Sequence, residues 1–402
     1  MIPYSIHWSK AAVVLVALAF SSGCTLGPES SIKRSEVLLG QAVREPMLVE
    51  HPTGALFVAG YSRDEAEASD PPNLFRSDDG GGTWIQVDVG TTEEGARGNS
   101  DVDLVVGPDG VLYFLTMGFD RSVGEGTHVS LGISRDIGLT WTWESISETR
   151  FDDRPWLALT SESIHVVWND GSGVRHSVRE GEKTWRERER ITTSGGSSHF
   201  AVGPDGQLAV RIAPGSASAQ VVHEDADWIA LSMNDGLSWE IIEAPGERDW
   251  NEIPRWVEPI GWGPDGTLYS LWSSGHDLLL SASTDLGKTW SERRVTTYEA
   301  PAYFPFFSIQ GDGLMSASWF TGIGDQLEAH VSVLDPGSLG DIVRFSAHFS
   351  VDAWVGEGVD RQRDAAGEYF PALFLADGDI AAVLPIQGSE RGDGMSWIRI
   401  RP

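Results

Sequence analysis

The chain has 402 residues, of which 17 are tryptophan and 41 % are hydrophobic, and its formal net charge is −30. A charge of this size repels phosphate backbones, so we expect no nucleic-acid partner. The apolar fraction, together with only 22 % charged residues, excludes a disordered chain and indicates a large packed core.

The N-terminus has the features of an export signal followed by a lipidation site. The apolar run over residues 11–20 has the length of a signal peptide and is too short to span a bilayer. Small residues then precede Cys24, the single cysteine, in a pattern that resembles the lipobox of bacterial lipoproteins. We expect a signal peptide over 1–23, and a lipidated Cys24 with a tether over 24–34. Since Thr25 rather than Asp follows the cysteine, we expect export to the outer membrane, with the anchor as the only membrane contact. The alternative is ordinary secretion with an incidental cysteine.

Residues 35–402 are predicted to form one all-β domain. Seven times this region repeats an apolar strand, a turn and a second apolar strand, at a spacing of about fifty residues, which is the size of a four-stranded propeller blade. The repeats indicate a single β-propeller of seven four-stranded blades, with six blades as the alternative. Residues 35–40 are expected to add an outer strand to the last blade beside residues 396–400, and we expect a monomer.

A second repeat, S-x-D-x-G-x-T-W, lies between these units. Its acid or amide is predicted to bond backbone amides ahead of it, its glycine to take a positive φ, and its tryptophan to wedge between blades. We interpret each copy as the hairpin between the two outer strands of a blade. The four copies are Ser77–Trp84, Ser134–Trp141, Ser232–Trp239 and Ser283–Trp290, with Asp79, Asp136, Asn234 and Asp285 as the structural residues.

The mouth of such a ring is formed by the residues that precede each innermost strand. Arg44, Arg154 and Arg255 occupy three of these positions, in three different blades. Converging guanidinium groups would form a clamp for a carboxylate. The alternative is that neighbouring acids neutralise these arginines as structural ion pairs.

Asp101 and Asp103 also lie at the mouth, where two carboxylates could bind calcium. Acidic loops are expected in a chain of this net charge, however, so we expect neither a metal nor another cofactor.

The repeats resemble those of the sialidase (neuraminidase) superfamily of Asp-box, or BNR-repeat, propellers, over nearly the whole mature chain. In that superfamily the box is structural and lies on the face away from the active site. The segment Val43–Pro46 stands where catalytic members carry Phe/Tyr-Arg-Ile-Pro, and residues 54–59 continue as the family does. Tyr369 and the residues that follow it are similar to the segment of the nucleophilic tyrosine.

The resemblance implies a role for individual residues. Arg44 and Arg63 would bind the substrate, Asp70 would be the acid/base, and Tyr369 would be the nucleophile, activated by Glu258. The chain departs from the family where further substrate-binding arginines are expected, and Arg154 and Arg255 are our candidates to replace them.

Two functions follow. One is a sialidase-like exo-glycoside hydrolase acting on terminal sugars of glycans. The alternative is a non-catalytic propeller of the cell envelope that binds a glycan or an envelope protein at its mouth.

Overall fold

The computed structural model describes residues 30–62, 70–181, 184–216, 221–222, 227–246, 257–299, 302–323, 326–351, 367–386 and 392–402. These residues form thirty β-strands and one short 3-10 helix. None of the helical structure in these ranges is long and apolar enough to cross a membrane.

The strands are grouped into seven antiparallel sheets of four, and each sheet is one blade. The first strand of the described residues is β1 (Ser31–Leu38). Blade 1 contains β2 (Arg44–Glu50), β3 (Leu56–Tyr61), β4 (Asn73–Ser77) and β5 (Ile85–Gln86), and the helix Thr92–Glu94 follows it. Blade 2 contains β6 (Val102–Val106), β7 (Leu112–Asp120), β8 (Glu125–Ser134) and β9 (Thr142–Ser147). Blade 3 contains β10 (Asp153–Leu159), β11 (Ser163–Asn169), β12 (Val174–Glu180) and β13 (Arg186–Glu187). Blade 4 contains β14 (Gly196–Val202), β15 (Leu208–Ala213), β18 (Trp228–Ser232) and β19 (Glu240–Glu243), with the small ribbon β16 (Gly215–Ser216) and β17 (Val221–Val222) inserted.

The last three blades follow in the same order. Blade 5 contains β20 (Ile260–Trp262), β21 (Leu268–Ser274), β22 (Asp277–Ser283) and β23 (Ser291–Thr297). Blade 6 contains β24 (Ala302–Ile309), β25 (Met315–Ile323), β26 (Gln326–Leu334) and β27 (Val343–Val351). Blade 7 contains β28 (Ala372–Phe374), β29 (Ile380–Ile386) and β30 (Gly394–Arg401), with β1 as its outermost strand. The prediction of seven four-stranded blades is therefore confirmed.

The ring is closed by the pairing of the two ends of the chain. Strand β1 pairs antiparallel with β30 from Ser31–Arg401 to Leu38–Gly394, so the predicted closing strand is confirmed. It begins at Ser31, inside the segment 24–34 that was assigned to the tether. Closure removes the exposed edges that an open stack of sheets would leave at its ends.

The blades are held together by apolar side chains between them. Buried residues of blades 1 to 4 form one continuous cluster that includes Phe57, Phe114 and Val210. Trp84 of the first box packs edge-on against Trp397 of blade 7, with ring centroids 5.2 Å apart. Trp84 therefore packs between blades 1 and 7, as predicted for the box tryptophan, at the place where the ring closes.

The box hairpins show the predicted local bonding. Asp79 Oδ1 accepts hydrogen bonds from the Thr83 amide at 2.8 Å and from the Ser77 hydroxyl at 2.9 Å. Asn234 replaces this acid in the third copy, and its Oδ1 accepts the Ser238 amide at 3.0 Å. The box glycines have the predicted positive φ, but the residue before each glycine is left-handed as well. These preceding residues are Gly80, Ile137, Asp235 and Leu286.

The ring has two distinct faces. Within each blade the strands alternate in direction, so the turn between the third and fourth strands lies at the opposite end from the start of the first strand. We call the end that carries the box hairpins the box face, and the end at which the innermost strands begin the mouth face. The boxes therefore lie away from the mouth.

Candidate functional site

The innermost strands of blades 1, 3 and 6 begin with the same irregularity. Glu45, Arg154 and Phe304 have φ of 47°, 44° and 47°, and each is followed by a proline. The pairing register shifts at each of these points. A left-handed residue before proline is unfavourable, so the fold maintains a strained bulge where each strand leaves the mouth.

Next to these bulges, a row of buried charged side chains crosses the mouth. Arg154 Nη2 of blade 3 donates to Glu368 Oε2 of blade 7 at 2.7 Å, although these blades are not neighbours in the ring. The amide of Glu368 donates to Glu45 Oε1 at 3.2 Å, and Arg44 Nε lies 3.9 Å from the same oxygen. Arg44 Nε also donates to the hydroxyl of Tyr61 at 3.1 Å.

The central ion pair of this row, between Arg154 and Glu368, is almost completely buried. The side chains of Arg154 and Glu368 are 2 % and 3 % exposed. Burial alone would lower the pKa of Arg154, but the charges of Glu368 and Asp153 raise it above its usual value. The guanidinium is therefore held in its charged form by carboxylates of the protein itself.

Tyr369 lies within this cluster and is 1 % exposed. Its hydroxyl donates to Asp101 Oδ1 of blade 2 at 3.3 Å. Burial, and then the nearby charge of Asp101, raise the pKa of Tyr369 well above its usual value. Burial, followed by the charges of Glu45 and Asp153, raises the pKa of Asp101 in the same way. Burial therefore favours the protonated, neutral form of both groups.

Aromatic rings from four blades fill the channel around Tyr369. Its ring contacts Trp156 of blade 3 edge-on at 5.4 Å, and Trp156 contacts His199 of blade 4 at 5.0 Å. His199 in turn contacts Phe306 of blade 6 at 5.5 Å. The first and third of these contacts join non-adjacent blades, so at this level side chains bridge the axis of the ring.

A separate buried ion pair lies between blades 4 and 5. Arg211 Nη2 donates to Glu258 Oε2 at 2.7 Å, and both side chains are at most 2 % exposed. The Ser198 hydroxyl donates to the carbonyl oxygen of Glu258 at 3.1 Å, and Arg211 also contacts Asp227.

The structure therefore corrects the expected pairing of Tyr369 with Glu258. The carboxylate bonded to Tyr369 is Asp101, and Glu258 is bonded to Arg211. The reason is that Arg211 lies in the middle of the apolar strand β15, where a buried cation needs a carboxylate partner. A lone arginine within an apolar strand was a signal that sequence reasoning did not use.

The remaining predicted residues are distributed as follows. Arg44, Arg154 and Tyr369 are brought together at the mouth. Asp70 lies half-buried in the loop between β3 and β4 on the same face, and its carbonyl oxygen accepts the Gly98 amide at 2.7 Å. The other predicted residues, namely Arg63, Arg255 and the lipidation site Cys24, lie outside the described residues.

Asp103 connects blade 2 to blade 3 by a hydrogen bond. Its two carboxylate oxygens accept the amides of Leu104 and Leu157, each at 2.8 Å. Burial raises its pKa to about 6. Among the described residues, no group of three or more histidine, cysteine or acidic side chains is arranged to hold a metal ion.

The sequence matches no protein-family model and no curated protein. Solved structures with a similar fold include a catalytically inactive virginiamycin B lyase from Staphylococcus aureus with quinupristin (13 % identity, covering 92 % of this chain and 99 % of that chain, TM-score 0.55). YCF48 bound to a D1 peptide is 14 % identical, with 94 % and 96 % of the two chains covered and a TM-score of 0.52. An α-L-arabinanase from Penicillium chrysogenum is 13 % identical, with 91 % and 94 % covered and a TM-score of 0.49. The chain thus shares its fold with a lyase and with a peptide-bound protein, and fold alone does not assign a function.

Proposed function

We propose that the chain is an exported, lipid-anchored binding propeller that holds a neutral or cationic glycan or protein segment at its mouth without chemical turnover. The observation that carries this proposal is the ion pair of Arg154 with Glu368. A guanidinium already paired with a buried carboxylate across the ring gains little by exchanging it for the carboxylate of a ligand.

The state of Tyr369 supports a non-catalytic mouth. A tyrosine nucleophile must lose its proton as it attacks, and its neighbours must favour that loss. Here burial is the largest cause that holds the pKa of Tyr369 high. The described environment therefore opposes the activation that the reaction requires.

The balance of charge at the mouth indicates the class of ligand. Among the described residues of the mouth, the two guanidinium groups of Arg44 and Arg154 face a larger set of buried acids. These acids are Glu45, Asp101, Asp153 and Glu368. Such a site favours hydroxyl-bearing or cationic groups over an anionic sugar.

The second candidate is exo-sialidase-type hydrolysis of terminal sugars. It is favoured by the hydrogen bond from Tyr369 to Asp101, which gives the tyrosine a carboxylate partner in the place expected for Glu258. In this scheme Asp70 would protonate the leaving group and Arg44 would hold the substrate carboxylate.

Two assays on the purified chain separate the candidates. We expect no hydrolysis of a fluorogenic sialoside, and no difference between the parent and Arg44→Ala in titrations with sialic acid. Turnover that Tyr369→Phe abolishes would establish the hydrolase instead. For binding, we expect neutral oligosaccharides and tetralysine to be retained more strongly than tetraglutamate, and preference for tetraglutamate would contradict the proposed binding site.

The anchor is tested in cells that export the protein. We propose that Cys24 carries the lipid and holds the protein at the outer membrane. Labelled palmitate should enter the parent protein and not Cys24→Ser. Equal labelling of the two proteins, or labelling of neither, would remove the anchor from the proposal.

A further inference from the structure

The first described strand begins at the box face. In blade 7 the innermost strand β28 runs from the mouth face to the box face, so β30 runs in the same direction and β1 runs back. Ser31 pairs with Arg401 at the box end, and Leu38 pairs with Gly394 at the mouth end. The chain therefore enters the ring from the side of the box hairpins.

The lipidated residue is close to this point. Cys24 lies seven residues before Ser31. A fully extended segment of this length reaches at most about 25 Å. A bilayer that holds the lipid of Cys24 therefore lies near the box face, and the mouth opens on the other side of the ring.

The box face also carries exposed apolar side chains. Leu139, Leu237 and Leu339 lie in turns between the third and fourth strands of blades 2, 4 and 6, and they are 71 %, 65 % and 107 % exposed. Met233, in the same turn as Leu237, is 56 % exposed. Since these blades alternate around the ring, the side chains are spread as three contact points that together can meet a flat surface.

The charges of this face indicate which lipid surface fits. Exposed aspartates occupy the turns between the first and second strands of five blades, closer to the axis than the leucines. They are Asp109, Asp205, Asp265, Asp312 and Asp377. An acidic centre is repelled by anionic headgroups, so apolar contact at the rim would be favoured on a zwitterionic surface.

We propose that the box face docks on the surface of the bilayer that holds Cys24, with Leu139, Leu237 and Leu339 inserted among zwitterionic headgroups. This inference rests on the anchor of the proposed function and adds a second membrane contact to it, where the sequence analysis expected the anchor alone. Docking fixes the orientation of the ring and presents the mouth to the surroundings.

The test supplies the tether chemically, so it does not depend on lipidation in the cell. The chain beginning at Cys24, which retains every described residue, is coupled through this cysteine to a maleimide lipid in phosphatidylcholine vesicles. Hydroxyl-radical footprinting compares it with the same chain, Cys24 capped, free in solution. We expect several-fold protection of Leu139, Met233, Leu237 and Leu339 on the vesicles. Leu38 and Val123, exposed on the mouth face, serve as matched controls and should not change.

A pair of variants tests whether the leucines themselves make the contact. In Leu139→Ser/Leu237→Ser/Leu339→Ser, protection of the remaining reporter Met233 should be lost. In the control Leu38→Ser/Val123→Ser, it should be retained. All five substituted side chains are exposed, so neither variant disturbs the core.

The outcomes separate this inference from the anchor. Uniform oxidation of both faces, or protection of Val123, overturns the docking even if palmitate labels Cys24 in cells. Protection of the box face in the coupled chain supports the docking surface even if cells do not lipidate Cys24, in which case only the anchor fails.

Discussion

The hydroxyl of Tyr369 donates to Asp101, a residue 268 positions earlier in the chain, at 3.3 Å, and both side chains are buried. Burial and then the charge of Glu45 raise the pKa of Asp101, so folding favours the protonated form of its carboxyl group. A raised pKa means that the folded state binds the extra proton, so stability falls as pH rises from the unfolded pKa towards the folded one.

Asp101→Asn should therefore be tolerated, since the amide is neutral at every pH and its oxygen still accepts the Tyr369 hydroxyl. We expect the free energy of unfolding at pH 7 to change by less than about 1 kcal/mol or to rise. The decline of stability above the unfolded pKa should become shallower than in the parent. Urea titrations across this range measure both quantities, and a large loss at pH 7 would show that the carboxylate is ionised.

The pair of Arg154 and Glu368 should be costly to break. Glu368→Gln removes the carboxylate that is bonded to the buried guanidinium of Arg154, and we expect a loss of about 3–5 kcal/mol in the free energy of unfolding. The double variant Arg154→Met/Glu368→Leu should recover a large part of this loss. The exposed pair of Arg97 and Glu148 is the matched control, because Glu148→Gln should cost less than about 1 kcal/mol. Equal costs at the two pairs would contradict the importance of burial.

The box hairpins provide a comparison within the chain. Asp79→Ala removes the acceptor of the Thr83 amide and hydroxyl, and we expect a loss of about 1–2 kcal/mol. Asp79→Asn should cost less, since Asn234 already makes the corresponding amide contact in the third box. Chemical denaturation of the two variants measures the difference. If the asparagine variant loses as much as the alanine variant, the charge and not the hydrogen-bond geometry stabilises the hairpin.

Buried histidines should make the propeller sensitive to acid. Burial lowers the pKa of His128 to about 4, of His176 to about 3 and of His330 to about 3. Because the folded pKa lies below the unfolded value, the stability that each neutral ring contributes is present above pH 6.5 and is lost as pH falls towards the folded pKa. At pH 5 the loss is about 2 kcal/mol for each histidine.

The slope of stability against pH is the appropriate measurement for this effect. His330 stacks on Trp319 and bonds Thr321, so His330→Gln lowers the absolute stability as well. Its slope between pH 6.5 and 5 should nevertheless be smaller than that of the parent by about the contribution of one histidine. An unchanged slope would show that His330 binds protons equally in the folded and unfolded states.

The fold was accessible from sequence because its signals are local. The box places its turn residues within eight positions, and Ser77, Asp79 and Thr83 bond one another without help from the rest of the chain. The second left-handed residue, such as Ile137 or Leu286, was not predicted. Side chains with a Cβ rarely take this conformation, so nothing in their chemistry indicated it.

The site was less accessible because its contacts are not local. Sequence order places Arg154 at the start of an innermost strand, and this much was predicted. It does not show which of the seven strand starts contact one another across the axis of the ring. Bulges at Glu45 and Arg154 lie beside these contacts, and only their prolines were visible in the sequence.

The pairing of β1 with β30 determines how the ring bears load. Tension from Cys24 would pull on Ser31 along the direction of β1, away from the box end of the strand. All eight paired positions between Ser31 and Leu38 would then resist together in shear, whereas attachment at the other end would peel them apart one by one. The strand that completes the last blade is thus also the part of the molecule best placed to keep a tethered ring intact under mechanical stress.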